Sequence, residues 1–219
     1  MSAQVKIGRR AVVAGMLMSA TIAARPARAQ RPPKLRWTAE DEERFATFVP
    51  AFVSGYDQKI DCADLALVAL ATFAGRNRLP IRLYDFDLPR NPQFDRKIGS
   101  RRWIVFDPRR SDWQAYGRYI SDQLGAVNVI ENSRRIEMRE ARAGDLIMSK
   151  NEGPGDYTGH TRVLVASRWD SQRNDWWIGR YEGNLPPVVP VLKESYFGEI
   201  SDVYMGRPRR WSFEDFALA

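Results

Sequence analysis

Apolar and small residues run almost unbroken from Ala11 to Ala24, and amphipathic patterning begins only beyond the short extended stretch Arg31-Pro32-Pro33-Lys34. Phe45, Phe48, Val49, Phe52 and Val53 then recur at the spacing of one helix face. Thr38, with Asp41 three residues on, caps this helix, and the acidic residues through Glu43 suit its first turn. Pro50 predicts a kink or an early end. Next comes DCADLALVALATFA, Asp61 to Ala74, apolar around most of its circumference, as expected of a central helix buried on several sides. Asp61 is its expected N-cap and Gly75 its expected stop.

Strand-like runs follow at Ile81 to Tyr84 and Trp103 to Phe106, separated by Pro89, Asn91, Pro92 and Gly99, and predict an insertion or cleft wall. Ser111 is expected to cap a helix through Leu124, ended by Gly125, with Trp113, Tyr116, Ile120 and Leu124 on one face. Gly144 and Asp145 introduce a strand at Leu146 to Met148, and the glycine-rich turn from Gly153 to Gly159 leads into His160. The β-branched run at Thr161 to Ser167 and the run from Trp176 to Tyr181 read as two strands around a polar turn at Asp170 to Asp175. A hairpin centred near residue 171 places Glu182 across from His160, with Asn184 two residues further on.

Composition narrows the chemistry. One Cys and one His in 219 residues allow neither an internal disulfide nor a structural zinc site of four Cys or His ligands. Thiol and imidazole chemistry therefore have one position each, Cys62 and His160. Length and composition fit one soluble domain. The formal charge is +7, but Lys6, Arg9, Arg10, Arg25 and Arg28 lie in the first 29 residues, which hold no acidic residue. The remainder carries 29 basic against 27 acidic groups, which gives no argument for a nucleic-acid partner.

The leading segment reads as an export signal. A basic stretch ends in Gly8-Arg9-Arg10, and the apolar run is 14 residues against the roughly 20 that a membrane span needs. Ala27-Arg28-Ala29 is a small-x-small cleavage pattern that puts Gln30 first in the mature chain. The paired arginines resemble a twin-arginine signal, with an ordinary secretory signal as the alternative. The expected organisation is an export signal at 1–29, a linker at 30–37 and a single domain at 38–219. No stable membrane anchor remains after signal removal, and the expected location is periplasmic or secreted.

Cys62 falls in the first turn of its helix, where unpaired backbone N–H groups and the helix dipole favour a thiolate. A lone Cys beside an apolar helix also reads as a small core residue. His160, Glu182 and Asn184 taken singly read as capped or solvated positions, whereas their convergence points to acid–base work. Other chemistries find less support. No G-x-S-x-G turn accompanies His160. The glycines at 153, 155 and 159 precede a strand and lack the Lys-Ser/Thr of a P-loop. Asp85 and Asp87 lack the glycine of a calcium loop. Arg101-Arg102-Trp103 and Arg209-Arg210-Trp211 read as solvated edges with one buried ring each, or as grips for an anionic glycan. No cofactor and no metal are expected.

Asp61-Cys62-Ala63-Asp64-Leu65 at a helix start, Gly144-Asp145-Leu146-Ile147, and Gly159-His160 opening a strand together resemble the NlpC/P60 and CHAP group of papain-like cysteine peptidases, over about residues 56 to 190. Asp61, Cys62, Gly144, Asp145 and His160 match that pattern, while Ala63 and Asp64 replace the small Ser-Gly that usually follows the Cys. Glu182-Gly183-Asn184 resembles the Glu-x-Asn of CHAP sites, and Tyr56 corresponds to an upstream tyrosine without its usual Gly-Gly. The resemblance implies an α+β, papain-like (NlpC/P60) fold in which a central N-terminal helix carrying the Cys packs on an antiparallel β-sheet. It also implies hydrolysis of an amide or peptide bond, with peptidoglycan stem peptide as the favoured substrate. Cys62 would be the nucleophile, His160 its base, Glu182 or Asn184 the orienting group, and Asp61 and Tyr56 oxyanion or orienting residues. Two alternatives stay open: a noncatalytic envelope binding protein on the same fold, and a thiol transferase or deamidase effector acting on a protein. The oligomeric state is open as well.

Overall fold

Thr38 and Asp41 start the first helix as expected. The Asp41 N–H donates to Thr38 Oγ1 at 3.2 Å while the Thr38 N–H donates to Asp41 Oδ2 at 3.0 Å, a reciprocal capping box. The computed structural model describes residues 35–85, 95–98, 101–150, 159–184, 186–204 and 206–218, all within the compact unit Pro33–Ala219. The expected export signal, most of the linker and the glycine-rich turn as far as residue 158 lie outside the described residues. Helix α1 (Ala39–Ser54) does not end at Pro50, contrary to the early ending allowed above. The missing proline N–H removes one backbone bond, whereas Val49 and Val53, both fully buried, hold the last turn against the core.

Helix α2 (Cys62–Asn77) is buried from Ala63 through Ala74 on nearly every side, which its apolar circumference requires. Gly75 is not its stop. A Cβ at Gly75 would lie 2.2 Å from the Trp113 ring, so the glycine admits a neighbouring helix. The helix runs on to Asn77 and closes on Arg78, in the left-handed conformation with φ 54°. Strands β1 (Ile81–Asp85), β2 (Asp95–Ile98) and β3 (Arg101–Phe106) form an antiparallel sheet of order β1-β3-β2. This region is more than an insertion or cleft wall, because Ile81, Leu83, Ile104 and Phe106 belong to the main core.

Helix α3 (Trp113–Gln123) is capped by Asp112, whose Oδ1 accepts the Gln114 N–H at 2.9 Å, and not by Ser111. Tyr116, Ile120 and Leu124 are buried on the expected face. Gly125 precedes a further helix, α4 (Ala126–Glu131), too short to show periodicity in the sequence. Strands β4 (Ser133–Arg135), β5 (Leu146–Lys150), β6 (Gly159–Asp170), β7 (Asp175–Glu182) and β8 (Val191–Tyr196), then helix α5 (Phe197–Tyr204) and strand β9 (Arg207–Trp211), complete the order. The six strands form an antiparallel sheet of order β4-β9-β5-β6-β7-β8, so the architecture is α+β with antiparallel sheets. Leu146, Met148 and Val163 enter the main core with α1 to α4. Ile147, Leu164 and Ile178 turn to the other face and a smaller cluster with Ile200.

Arg209-Arg210-Trp211 has the expected buried ring, but its two arginines are tied to the protein instead of being simply solvated. Trp211 is 1% exposed in the core, Arg210 makes two 2.8 Å contacts to Asp145, and Arg209 bonds Ser133 and the Ile130 carbonyl. Asp145 also accepts the Arg142 N–H at 2.8 Å, and Gly144, at φ +85°, supplies the positive angle of that turn. The Gly-Asp step therefore fixes the entry into β5.

The β6–β7 hairpin differs from the expected register in an instructive way. Its tip pairs Asp170 with Asp175, and Asn174 takes φ 53° in the turn. Pairing runs regularly to Ala166↔Gly179, then shifts to Leu164↔Arg180 and Val163↔Tyr181. Val165 is the extra residue of a β-bulge. Continued by one step, this register sets Glu182 opposite Arg162, so His160 is a diagonal neighbour instead of the direct one. Without the bulge, the tip register would set Glu182 opposite Val163 and turn it to the wrong face. The bulge returns Glu182 to the face of His160.

Candidate active site

Cys62 stands at the first helical position of α2, partly buried. Asp61 holds this helix start, its Oδ1 accepting the Asp64 N–H at 2.8 Å. The loop ahead of it is pinned by Ile60, which bridges Val188 and whose carbonyl takes the Asn184 N–H at 3.4 Å. Gly183 packs directly beneath. A Cβ there would lie 2.2 Å from the Asp61 carbonyl oxygen, so only glycine lets the end of β7 meet the start of α2 backbone to backbone. This contact brings the Cys-bearing helix start to the His160 end of the hairpin.

The His160 Nε2 lies 3.4 Å from Glu182 Oε2, and the Cys62 side chain is close enough to the imidazole to act on its protonation. Burial alone would lower the imidazole pKa, but the interactions with Cys62 and Glu182 outweigh it and raise the pKa above its ordinary value. A thiol and a carboxylate thus both act on one imidazole, the set of groups that a nucleophile, its base and an orienter of the base require. Of the two expected orienting residues, Glu182 reaches the ring with its carboxylate. Asn184 is exposed, with its backbone committed to Ile60.

Glu182 is buried and heavily bonded. Its Oε1 accepts Arg180 Nε at 2.6 Å and Arg162 Nε at 3.2 Å, and its Oε2 accepts Lys193 Nζ at 3.0 Å. Burial works to raise its pKa, yet the bonds from His160, Lys193 and Arg180 prevail and hold it well below the usual carboxylate range. The arginines are anchored in turn. Arg162 Nη1 donates to Ser149 Oγ on β5 at 3.3 Å, and Arg180 Nη1 to Ser195 Oγ on β8 at 2.7 Å. Sequence reasoning passed over Arg162, Arg180, Lys193 and Gly183. The i, i+2 spacing of His160 with Arg162 and of Arg180 with Glu182 was the available signal, since strand parity puts each pair on one face.

On the other flank of the helix start, Tyr56, Asp61 and Asp64 line a cleft of about 470 Å³ between α2 and α3, together with Ser121 and Asp122. Asp64 Oδ1 and Ser121 Oγ are buried there without a partner. Burial, reinforced by Asp61 and Asp122, pushes the Asp64 pKa up to about 7. The Tyr56 phenol is raised too, by burial first and then by Asp64 and Asp57. Its ring packs on Phe52 at 5.8 Å. Among the described residues no group of three or more His, Cys, Asp and Glu could hold a metal ion, and no helix is long and apolar enough to cross a membrane.

Searches against family models, curated proteins and solved structures returned no significant match for this chain.

Proposed function

We propose that this protein is an exported cysteine hydrolase of the papain-like, NlpC/P60 and CHAP-related type, acting on an amide or peptide bond, most simply in peptidoglycan stem peptides. The observation that carries the reading is that Cys62 and Glu182 both act on the single imidazole of His160. The substrate class rests on the sequence resemblance and on the leader at 1–29, since a fold alone does not specify activity.

The residues divide the reaction as follows. With His160 Nε2 turned to Glu182, Nδ1 is the nitrogen left to take the thiol proton. The Cys62 thiolate then attacks the carbonyl carbon of the scissile amide. The tetrahedral oxyanion is met by backbone N–H groups at the start of α2, where the dipole adds favourable charge. Imidazolium gives its proton to the leaving amine, the C–N bond breaks, and a thioester joins the acyl part to Cys62. Water, deprotonated by His160, attacks the thioester and releases a carboxylic acid and the free thiol. Glu182 stabilises the imidazolium in both halves. Asp61 acts through the helix start that it caps.

The test is digestion of purified muropeptides by wild type and by Cys62→Ala, with new amine termini read by mass spectrometry. Products from wild type alone are expected. Binding by both proteins with cleavage by neither would overturn the proposal in favour of an envelope binding protein.

A further inference from the structure

Beneath His160 lies a row of polar side chains that crosses four strands. Ser149 on β5, Arg162 on β6, Arg180 and Glu182 on β7, and Ser195 on β8 form it, joined by bonds of 2.6 to 3.3 Å. All of them lie on the face that carries the smaller apolar cluster. Ser149, Arg162, Arg180 and Glu182 are 4, 6, 9 and 8% exposed. Two buried guanidinium groups on one buried carboxylate are costly to desolvate, and an apolar set of the same volume would often serve stability as well or better. A role beyond packing is therefore indicated. The geometry says which one. Both arginines bond Oε1, and each approaches from a different strand and is tied to a serine one strand further out. Oε1 is held at once from the neighbouring strand by Arg162 and from Glu182's own strand by Arg180, which leaves Oε2 to the imidazole and Lys193.

We infer that Arg162 and Arg180 are positioning residues for the reaction, a two-armed clamp that holds the Glu182 carboxylate with its Oε2 directed at His160. The inference rests on the Cys62–His160 reading given above. The titratable and charged groups around the pair are Cys62 from α2, Arg162 from β6, Arg180 from β7 and Lys193 from β8; β5 contributes the neutral Ser149. Lys193 reaches Oε2 from β8 but is half exposed, so it holds the carboxylate less firmly than the two buried arginines.

Removing one arm of the clamp frees Glu182 to rotate away, and the imidazolium loses its counter-charge. The thiolate that it supports then forms less readily. The experiment is the rate of Cys62 alkylation by iodoacetamide against pH, in full-length wild type, Arg180→Gln, Arg180→Lys and His160→Ala, with thermal unfolding of each. In Arg180→Gln the rise in rate is expected to move up by about one pH unit, a loss of about tenfold below the inflection. Arg180→Lys keeps the charge but not the planar fork and is expected to recover only part of that loss. A residue that merely supports the fold would lower the melting temperature and leave the profile of the folded protein in place, which would overturn the inference. Should Arg180→Gln fail to fold, Ser195→Ala releases the outer anchor of Arg180, and the same upward shift, smaller in size, is expected. An unmoved profile in Ser195→Ala and Arg180→Lys together would overturn the clamp. If His160→Ala matches wild type, the failure lies instead with the Cys–His pair itself.

Discussion

Glu182 and Asp64 are two carboxylates drawn largely out of water close to the start of α2, and they meet opposite treatment. Glu182 is surrounded by Arg162, Arg180, Lys193 and His160 and stays ionised far into acid. Asp64 has Asp61 and Asp122 for electrostatic neighbours, leaves one oxygen unpartnered, and changes charge near pH 7. Burial pushes both in the same direction, so partners alone make the difference. The pH dependences consequently run in opposite senses. The Glu182 pKa is lowered on folding, so its stabilisation is complete above the ordinary carboxylate range and is lost as pH falls toward the folded value. The Asp64 pKa is raised from 3.8 to about 7, so it favours folding least above pH 7, and stability declines as pH rises through that window.

The largest effect is expected from Glu182→Gln, which keeps the shape and removes the charge. Leaving two buried guanidiniums uncompensated should cost on the order of 3–5 kcal/mol in urea unfolding at pH 7. A cost of about 1 kcal/mol or less, the range of a surface pair, would erase the contrast between the two carboxylates. Gly183→Ala comes next. The new methyl would press on the Asp61 carbonyl, and the loss is expected to be about 1–3 kcal/mol, with slower Cys62 alkylation because the helix start is displaced. An unchanged alkylation rate would detach Gly183 from the site. Asp64→Asn should raise the melting temperature more at pH 8 than at pH 4, and an equal gain at both would show that Asp64 is not held neutral. The smallest change is expected from Lys193→Met. At 51% side-chain exposure its bond to Glu182 should contribute about 1 kcal/mol or less, fading further in high salt.

Much of this arrangement was legible in the sequence, and the rest failed for identifiable reasons. The two capped helices and the strand after Gly144-Asp145 follow from patterns confined to a few neighbouring residues, whereas the pairing of Cys62 with His160 was implied only by the family resemblance. Glu182 was matched to His160 by assuming a regular hairpin centred on residue 171. The true tip lies further along, and the bulge at Val165 restores the parity that the tip would have lost. The contact survived although the register did not, because two displacements combined to preserve the face. A bulge in a run of β-branched residues leaves no mark in composition. Gly75 misled for a similar reason. A glycine that admits Trp113 from another helix cannot be told, along the chain, from one that ends its own.

The meeting of Gly183 with Asp61 has a consequence for how firmly the site is dimensioned. Most distances between a helix and a strand pass through side chains, which have several rotamers and yield when neighbours change. Here the spacer is main chain on both sides, with no side-chain rotamer to relax it. The interval between thiol and imidazole is therefore referenced to two peptide planes in contact. It should drift little with temperature or with substitutions in the surrounding core, and it should fail abruptly if a side chain is forced between those planes.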